Sequence, residues 1–151
     1  MVKLNFPDYT FRIKSRENKL FIFDPVRKKE LVLTPEEWVR QHTLEYLFEN
    51  EYPKGLTSVE SVVKINGMSK RTDILVFDRD KKPFLVVECK APNINITQKT
   101  FDQIARYNME LESEYLMLTN GLNHYFCKMN HNQGSYSFLP NLPQFPISKW
   151  N

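Results

Sequence analysis

The sequence predicts an α/β fold in which helices flank a central sheet, behind a small N-terminal β-meander. Three observations carry this. Segments near residues 61–66, 71–77 and 84–89 are dense in Val, Ile, Leu and Phe and are split by Asn66-Gly67 and Asp80-Lys81-Lys82-Pro83. A helix start precedes them at Thr34-Pro35, and an amphipathic stretch follows Pro92. At 151 residues the chain is long enough for one such domain with its own core and short for two.

The elements follow in chain order. Thr10 to Ile13 and Lys19 to Phe23 alternate in polarity around Ser15-Arg16-Glu17-Asn18, and Glu30 to Leu33 follows a turn at Asp24-Pro25. Residues 1–34 are therefore expected as an antiparallel meander. Thr34-Pro35-Glu36-Glu37 has an N-cap Thr, Pro at the first helical position and Glu three residues after the Thr, so a helix is expected over about 35–50. The three apolar segments read as a meander of strands covered on both faces. Between Thr97 and Ser113, Phe101, Ile104, Ala105, Tyr107 and Met109 recur at three- and four-residue spacing, as on an amphipathic helix. Tyr115 to Thr119 and His124 to Lys128 flank Asn120-Gly121, a hairpin signal. The core is expected over 35–130, and residues 131–151, Pro-rich from Pro140 to Pro146, as a tail without regular structure.

Composition excludes several classes. No apolar run approaches the roughly 20 residues of a membrane helix, and the N-terminus lacks a signal peptide's apolar stretch, so a cytoplasmic protein without membrane contact is expected. Cys89 and Cys127 are too few for a disulfide framework or a four-thiolate zinc site and read as core. His42, His124 and His131 lack zinc-site spacing and read as surface or structural residues. The net charge of +3 does not announce a nucleic-acid partner; residues 1–34 hold eight Lys/Arg against four Asp/Glu, which suits a solvated face as well as a phosphate-binding one.

The chemistry gathers in two neighbouring strands. Asp73 lies in Arg71-Thr72-Asp73-Ile74-Leu75, and Glu88 and Lys90 in Val86-Val87-Glu88-Cys89-Lys90-Ala91. Residues i and i+2 of a strand share a face, so Glu88 and Lys90 point together while Cys89 turns to the opposite layer. The short link at 80–83 pairs the strands and lets Asp73 meet Glu88. Two carboxylates at the ends of apolar strands are costly to desolvate and repel each other, and a divalent cation relieves both penalties. Oxygen ligands with positions left for water suit Mg²⁺ or Mn²⁺. Lys90 then stands where it can orient or deprotonate water, or steady a phosphorus under attack, so direct in-line phosphodiester hydrolysis is expected.

These residues resemble the PD-(D/E)xK nuclease superfamily, and most closely the nuclease domain at the N-terminus of type I restriction enzyme R subunits. Asp73 stands at the superfamily's spacing from Glu88-Cys89-Lys90-Ala91-Pro92. Gln103-Ile104-Ala105-Arg106-Tyr107 resembles the QxxxY motif of that restriction family, and Thr119-Asn120-Gly121 follows at a similar distance. Thr72 replaces the nominal Pro of the signature. The resemblance covers about residues 35–128 and implies a restriction-endonuclease-like core, a central mixed sheet flanked by helices, with Mg²⁺ (or Mn²⁺) as cofactor and DNA as substrate. It implies Asp73, Glu88, Lys90 and Gln103 as catalytic residues, and a helix glutamate beside Asp73 and Glu88 at the metal. Glu36, Glu37 and Glu45 are available; Glu37 is ranked first because Glu37-Trp38-Val39-Arg40-Gln41 resembles the family's helix start, although Glu36 and Glu37 equally suit a helix N-terminus. Arg40, Lys70, Arg71 and Tyr107 are candidate nucleic-acid contacts; Lys64, Lys70 and Arg71 also suit solvated loops.

No Walker-type loop exists in a chain with four glycines, so a stand-alone nuclease without a motor is expected, with a homodimer or a specificity or motor protein as partner. Two rivals stand beside this reading. One is a catalytically silent relative that binds nucleic acid or protein; the other is a small sheet-based ligand-binding protein in which the acidic residues are ordinary surface charges.

Overall fold

The structure, a computed structural model, describes residues 1–147; residues 148–151, the end of the expected tail, lie outside the described residues. Strands β1 (Ile13–Arg16), β2 (Lys19–Asp24) and β3 (Lys29–Val32) form a three-stranded antiparallel sheet. A six-stranded sheet runs in the order β4 (Thr57–Ile65), β5 (Met68–Phe77), β6 (Pro83–Cys89), β7 (Tyr115–Thr119), β8 (His124–Asn130) and β9 (Ser135–Leu139). Helix α1 (Pro35–Glu49) precedes β4, and α2 (Gln98–Met109) connects β6 to β7, the one parallel pair among the described strands. The sheet is therefore mixed and flanked by helices, as the sequence predicts.

Strand alternation explains why the central segments are apolar throughout. Ile74, Val76, Leu85, Val87 and Met117 pack on one face with Val39, Leu44 and Leu47 of α1. Leu75, Val86, Leu116 and Leu118 pack on the other with Phe101 and Ala105 of α2. Each fully buried aliphatic side chain stabilises by about 1.5–3 kcal/mol. Helix α1 is buried nearly all round because the N-terminal segment covers its outer side. Phe11 packs on Trp38 and Phe6 on His42, and Trp38 Nε1 donates to the Val2 carbonyl at 2.8 Å. His42 and the two cysteines are buried, as structural residues should be.

Boundaries differ from expectation where local hydrogen bonds intervene. The β1–β2 turn is two residues, not four, because Glu17 and Asn18 both adopt positive φ and pairing runs out to Arg16 and Lys19. Helix α2 stops at Met109 because its last turn tightens into i→i+3 bonds at Leu111 and Glu112, and Glu112 at φ 54° reverses the chain into β7. The expected tail contributes an edge strand, β9, whose Tyr136 and Phe138 rest on Phe101; beyond it, Phe145 is buried against Tyr52 and Phe84. No described helix is long and apolar enough to cross a membrane.

Candidate functional site

The β5–β6 pairing sets Ile74 opposite Val87, which puts Asp73 beside Glu88 where the strands begin to part. There the Asp73 carboxylate takes over from the backbone ladder: Cys89 N–H donates to its Oδ2 at 2.7 Å. Cys89 turns into the α1-side core while Glu88 looks to the α2 side, where Asn108 Nδ2 approaches its Oε1 at 3.5 Å. Lys90 follows two residues on, its backbone N–H bonded to the Thr119 carbonyl of β7.

These side chains open onto one cavity of about 430 Å³. Asp73, Glu88 and Lys90 line it from the sheet, Gln103 and Tyr107 from α2, and Glu36 from α1, with Arg71 at its border. Gln103 and Tyr107 share a face of α2 because they are one turn apart, and Tyr107 remains 47% exposed.

Burial and then the neighbouring Asp73 charge push Glu88 up to about 8, against the opposing pull of Asn108 and Lys90. Burial and Asp73 likewise raise Glu36 above the usual carboxylate range, opposed by Arg40 and Lys90. The pocket thus gathers carboxyls where burial and their mutual repulsion oppose ionisation. Among the described residues no group of three or more His, Cys, Asp or Glu side chains is drawn together as a metal cage. The donor set still fits a hard divalent cation, since Mg²⁺ is commonly held by one or two carboxylates with water and substrate phosphate completing its shell.

Three residues expected to meet metal or DNA are engaged by partners within the protein. Glu37 does not line the cavity: its carboxylate accepts from Arg40 Nη1 at 2.7 Å, Gln41 Nε2 at 3.0 Å and Arg27 Nη2 at 3.3 Å, and Glu36 occupies the cavity side of the helix. Arg40 is 4% exposed and cannot meet a phosphate without abandoning Glu37, Glu60, Asp73 and Glu36, which surround its guanidinium. Burial acts to lower its pKa, but Glu37, Asp73 and Glu60 outweigh it and hold it firmly charged. Lys70 is 5% exposed, with its ammonium bonded to the Tyr107 carbonyl, over the Tyr107 ring and 3.7 Å from Glu110. It fastens β5 to α2 rather than facing solvent.

Two residues at the site escaped the sequence reading. Glu60 bridges Arg40 and Arg71, and Asn108, fully buried, faces Glu88. The spacing of Asn108, one residue after Tyr107 and three after the buried Ala105, was the available signal for the second. For Glu60 there is none, because it stands just before the strand expected over 61–66, which the structure begins at Thr57.

Comparison with known proteins adds a family to this geometry. None of the curated proteins matches the chain. A solved structure described as a fragment of an HsdR subunit of a type I restriction enzyme, from Vibrio vulnificus YJ016, is similar in fold, with a TM-score of 0.51 and 23% identity over 74% of this chain. The match spans 24% of that solved chain. The sequence model for the family "Type I restriction enzyme R protein N terminus (HSDR_N)" matches residues 35–143, from the first residue of α1 to beyond β9 and well over half of the sequence, and the chain belongs to that family.

Proposed function

We propose that the chain is a metal-dependent nuclease domain of the PD-(D/E)xK type that hydrolyses DNA phosphodiesters, with Asp73, Glu88, Lys90 and Gln103 as its catalytic residues. The observation that carries the reading is the meeting of Asp73 and Glu88 across β5 and β6 in one cavity with Lys90 and Gln103. Asp73 and Glu88 are the residues that would hold Mg²⁺ or Mn²⁺, with Glu36 rather than Glu37 as the helix carboxylate beside them. When bound, such a cation supplies a water of lowered pKa and stabilises charge on a phosphoryl oxygen.

The remaining work falls to the chain itself. Lys90 places a positive charge beside the scissile phosphate, where it compensates the charge that grows on the equatorial oxygens. Gln103 and Tyr107 orient the substrate from α2, the amide towards the phosphate and the exposed phenol towards sugar or base. Arg71, with its side chain 71% exposed at the cavity border, is the arginine able to hold a neighbouring phosphate. Water attacks phosphorus in line and gives up a proton to solvent, the bond to the leaving sugar oxygen breaks with its electron pair going to that oxygen, and the oxygen takes a proton from solvent.

The test is to incubate purified protein with Mg²⁺ or Mn²⁺ and single-stranded, duplex and branched DNA, beside Asp73→Ala and Lys90→Ala. The expected result is cleavage by the wild type and a loss of at least about 10²-fold in each variant. Equal inertness of all three with DNA binding retained would instead establish a silent nuclease fold.

A further inference from the structure

We propose that Glu60 of β4 is a positioning residue of the candidate site, competing with Asp73 for Arg40 and holding Arg71 at the cavity, and that the local distortion of the strand serves to place it. The inference rests on the nuclease reading of Asp73 and Glu88. The backbone supplies the first observation. Val59 pairs with Ile74 and Ser61 with Thr72, but the pair between them, Glu60 and Asp73, is missing from the ladder. Glu60 has φ 54°, and every other described non-glycine residue at positive φ sits in a turn or bend. A left-handed residue inside a strand is strained unless it is glycine, and such outliers gather where the side chain has work to do.

The strand's faces exchange across this point. Ser58 Oγ donates to Ser61 Oγ at 3.1 Å, although residues three apart on a regular strand point to opposite sides. Ser61 in turn bonds Thr72 at 2.9 Å. With the faces exchanged, Lys70 reaches Tyr107 of α2, while Arg71 turns to Glu60.

The ion pairs supply the second observation. Glu60 Oε1 lies 2.6 Å from Arg40 Nη2, whereas the same nitrogen is 3.2 Å from Asp73 and 3.3 Å from Glu36. Glu60 Oε2 is 3.2 Å from Arg71 Nε. Glu60 is therefore the tightest partner of the guanidinium nitrogen that also faces Asp73. Without it, that nitrogen closes on Asp73 and competes with any cation for the carboxylate. Arg71 also loses its anchor at the cavity.

Glycine at position 60 removes strain and carboxylate together, so the backbone and the side chain predict opposite outcomes. The experiment compares the full-length wild type with Glu60→Gly and Glu60→Gln. It measures thermal melting in EDTA, Mn²⁺ affinity in the absence of DNA by the loss of free-ion paramagnetic resonance signal, and kcat and KM on duplex DNA. Relief of strain should keep Glu60→Gly folded, while Mn²⁺ affinity falls about 10–100-fold and kcat falls more than KM rises, as expected for a residue that orients metal ligands. Glu60→Gln, with an acceptor but no charge, should lose affinity in the same direction and by less. Affinity within about twofold of wild type in both variants overturns the proposal, since outer-shell partners of a metal site normally cost far more than that. If Glu60→Gly does not fold, Glu60→Gln decides by the same criterion. Variants that match an active wild type remove this proposal alone; a wild type that neither binds Mn²⁺ nor cuts DNA removes the nuclease reading with it.

Discussion

If Asp73 and Glu88 hold a divalent cation as proposed, its binding should expel a proton, because burial and Asp73 favour the protonated form of Glu88. Glu88 is raised from 4.5 to about 8 by burial and by Asp73. Such a group is mostly protonated at pH 7 and mostly ionised by pH 9. A metal accepts only the carboxylate, so Mn²⁺ binding should release most of a proton near pH 7 and little by pH 9. Apparent affinity should strengthen by nearly tenfold per pH unit up to about pH 8 and then level. The same shift acts on folding with a definite sign. Between 4.5 and 8 the unfolded chain has lost the Glu88 proton while the folded metal-free chain keeps it, so the metal-free protein loses stability as pH rises through that window. Saturating Mn²⁺ should therefore raise the melting temperature more at pH 8 than at pH 6. Isothermal titration calorimetry in two buffers of different ionisation enthalpy counts the protons directly. Release below about 0.2 proton at pH 7, or an affinity flat from pH 6 to 8, would refute the shared-proton account of the pair.

Two further predictions concern what holds the site in place. Arg40→Met leaves Glu36, Glu37, Glu60 and Asp73 around a buried position without their cation, so it should destabilise by about 3–5 kcal/mol, read in denaturant unfolding; a loss below about 1 kcal/mol would show that the cluster is solvated. Gly121→Ala should cost about 1–3 kcal/mol and loosen the N-terminal segment to limited proteolysis. Gly121 has φ 87°, and a Cβ there would lie 2.7 Å from Leu4 Cδ2 and 3.0 Å from Val39 Cγ2.

The parts of this site that could be read from sequence are those that strand geometry determines. Asp73, Glu88 and Lys90 were accessible because period-two alternation and a short connection leave little freedom in how two antiparallel strands meet. Glu37 was a different problem. Glu36 and Glu37 are neighbours on a helix, about 100° apart around its axis, and only packing from outside the helix decides which faces the sheet edge. The places of Arg40 beside Glu37 and of Lys70 near the cleft suggest phosphate contacts, but sequence position does not reveal burial: Arg40 is also held by Glu60 of β4 and Lys70 by Tyr107 and Glu110. Glu60 was invisible for a related reason, since its role depends on a backbone conformation that glutamate seldom adopts.

The packing that settles the rotation of α1 comes from the meander, which lies before the region matched by the family. Asp24, fully buried at the end of β2, accepts from the backbone N–H groups of Val26 and Arg27, from Arg27 Nε at 2.8 Å and from Gln41 Nε2 at 3.0 Å. Arg27 Nη2 then reaches both oxygens of Glu37 at 3.3 Å. The β2–β3 turn thus grips one side of α1 at Glu37 and Gln41. With that side fixed, helical geometry leaves Glu36 on the cavity side and directs Arg40 between Glu37 and Asp73. The chain of contacts Asp24–Arg27–Glu37–Arg40–Asp73 ties the small sheet to the large one through charge-assisted hydrogen bonds, which are more directional than apolar packing. A helix held only by its apolar face could turn by a few tens of degrees at little penalty. Held also by this chain, it presents one glutamate to the cavity and withholds the next, which is how a region without the nuclease motif comes to set the composition of the site.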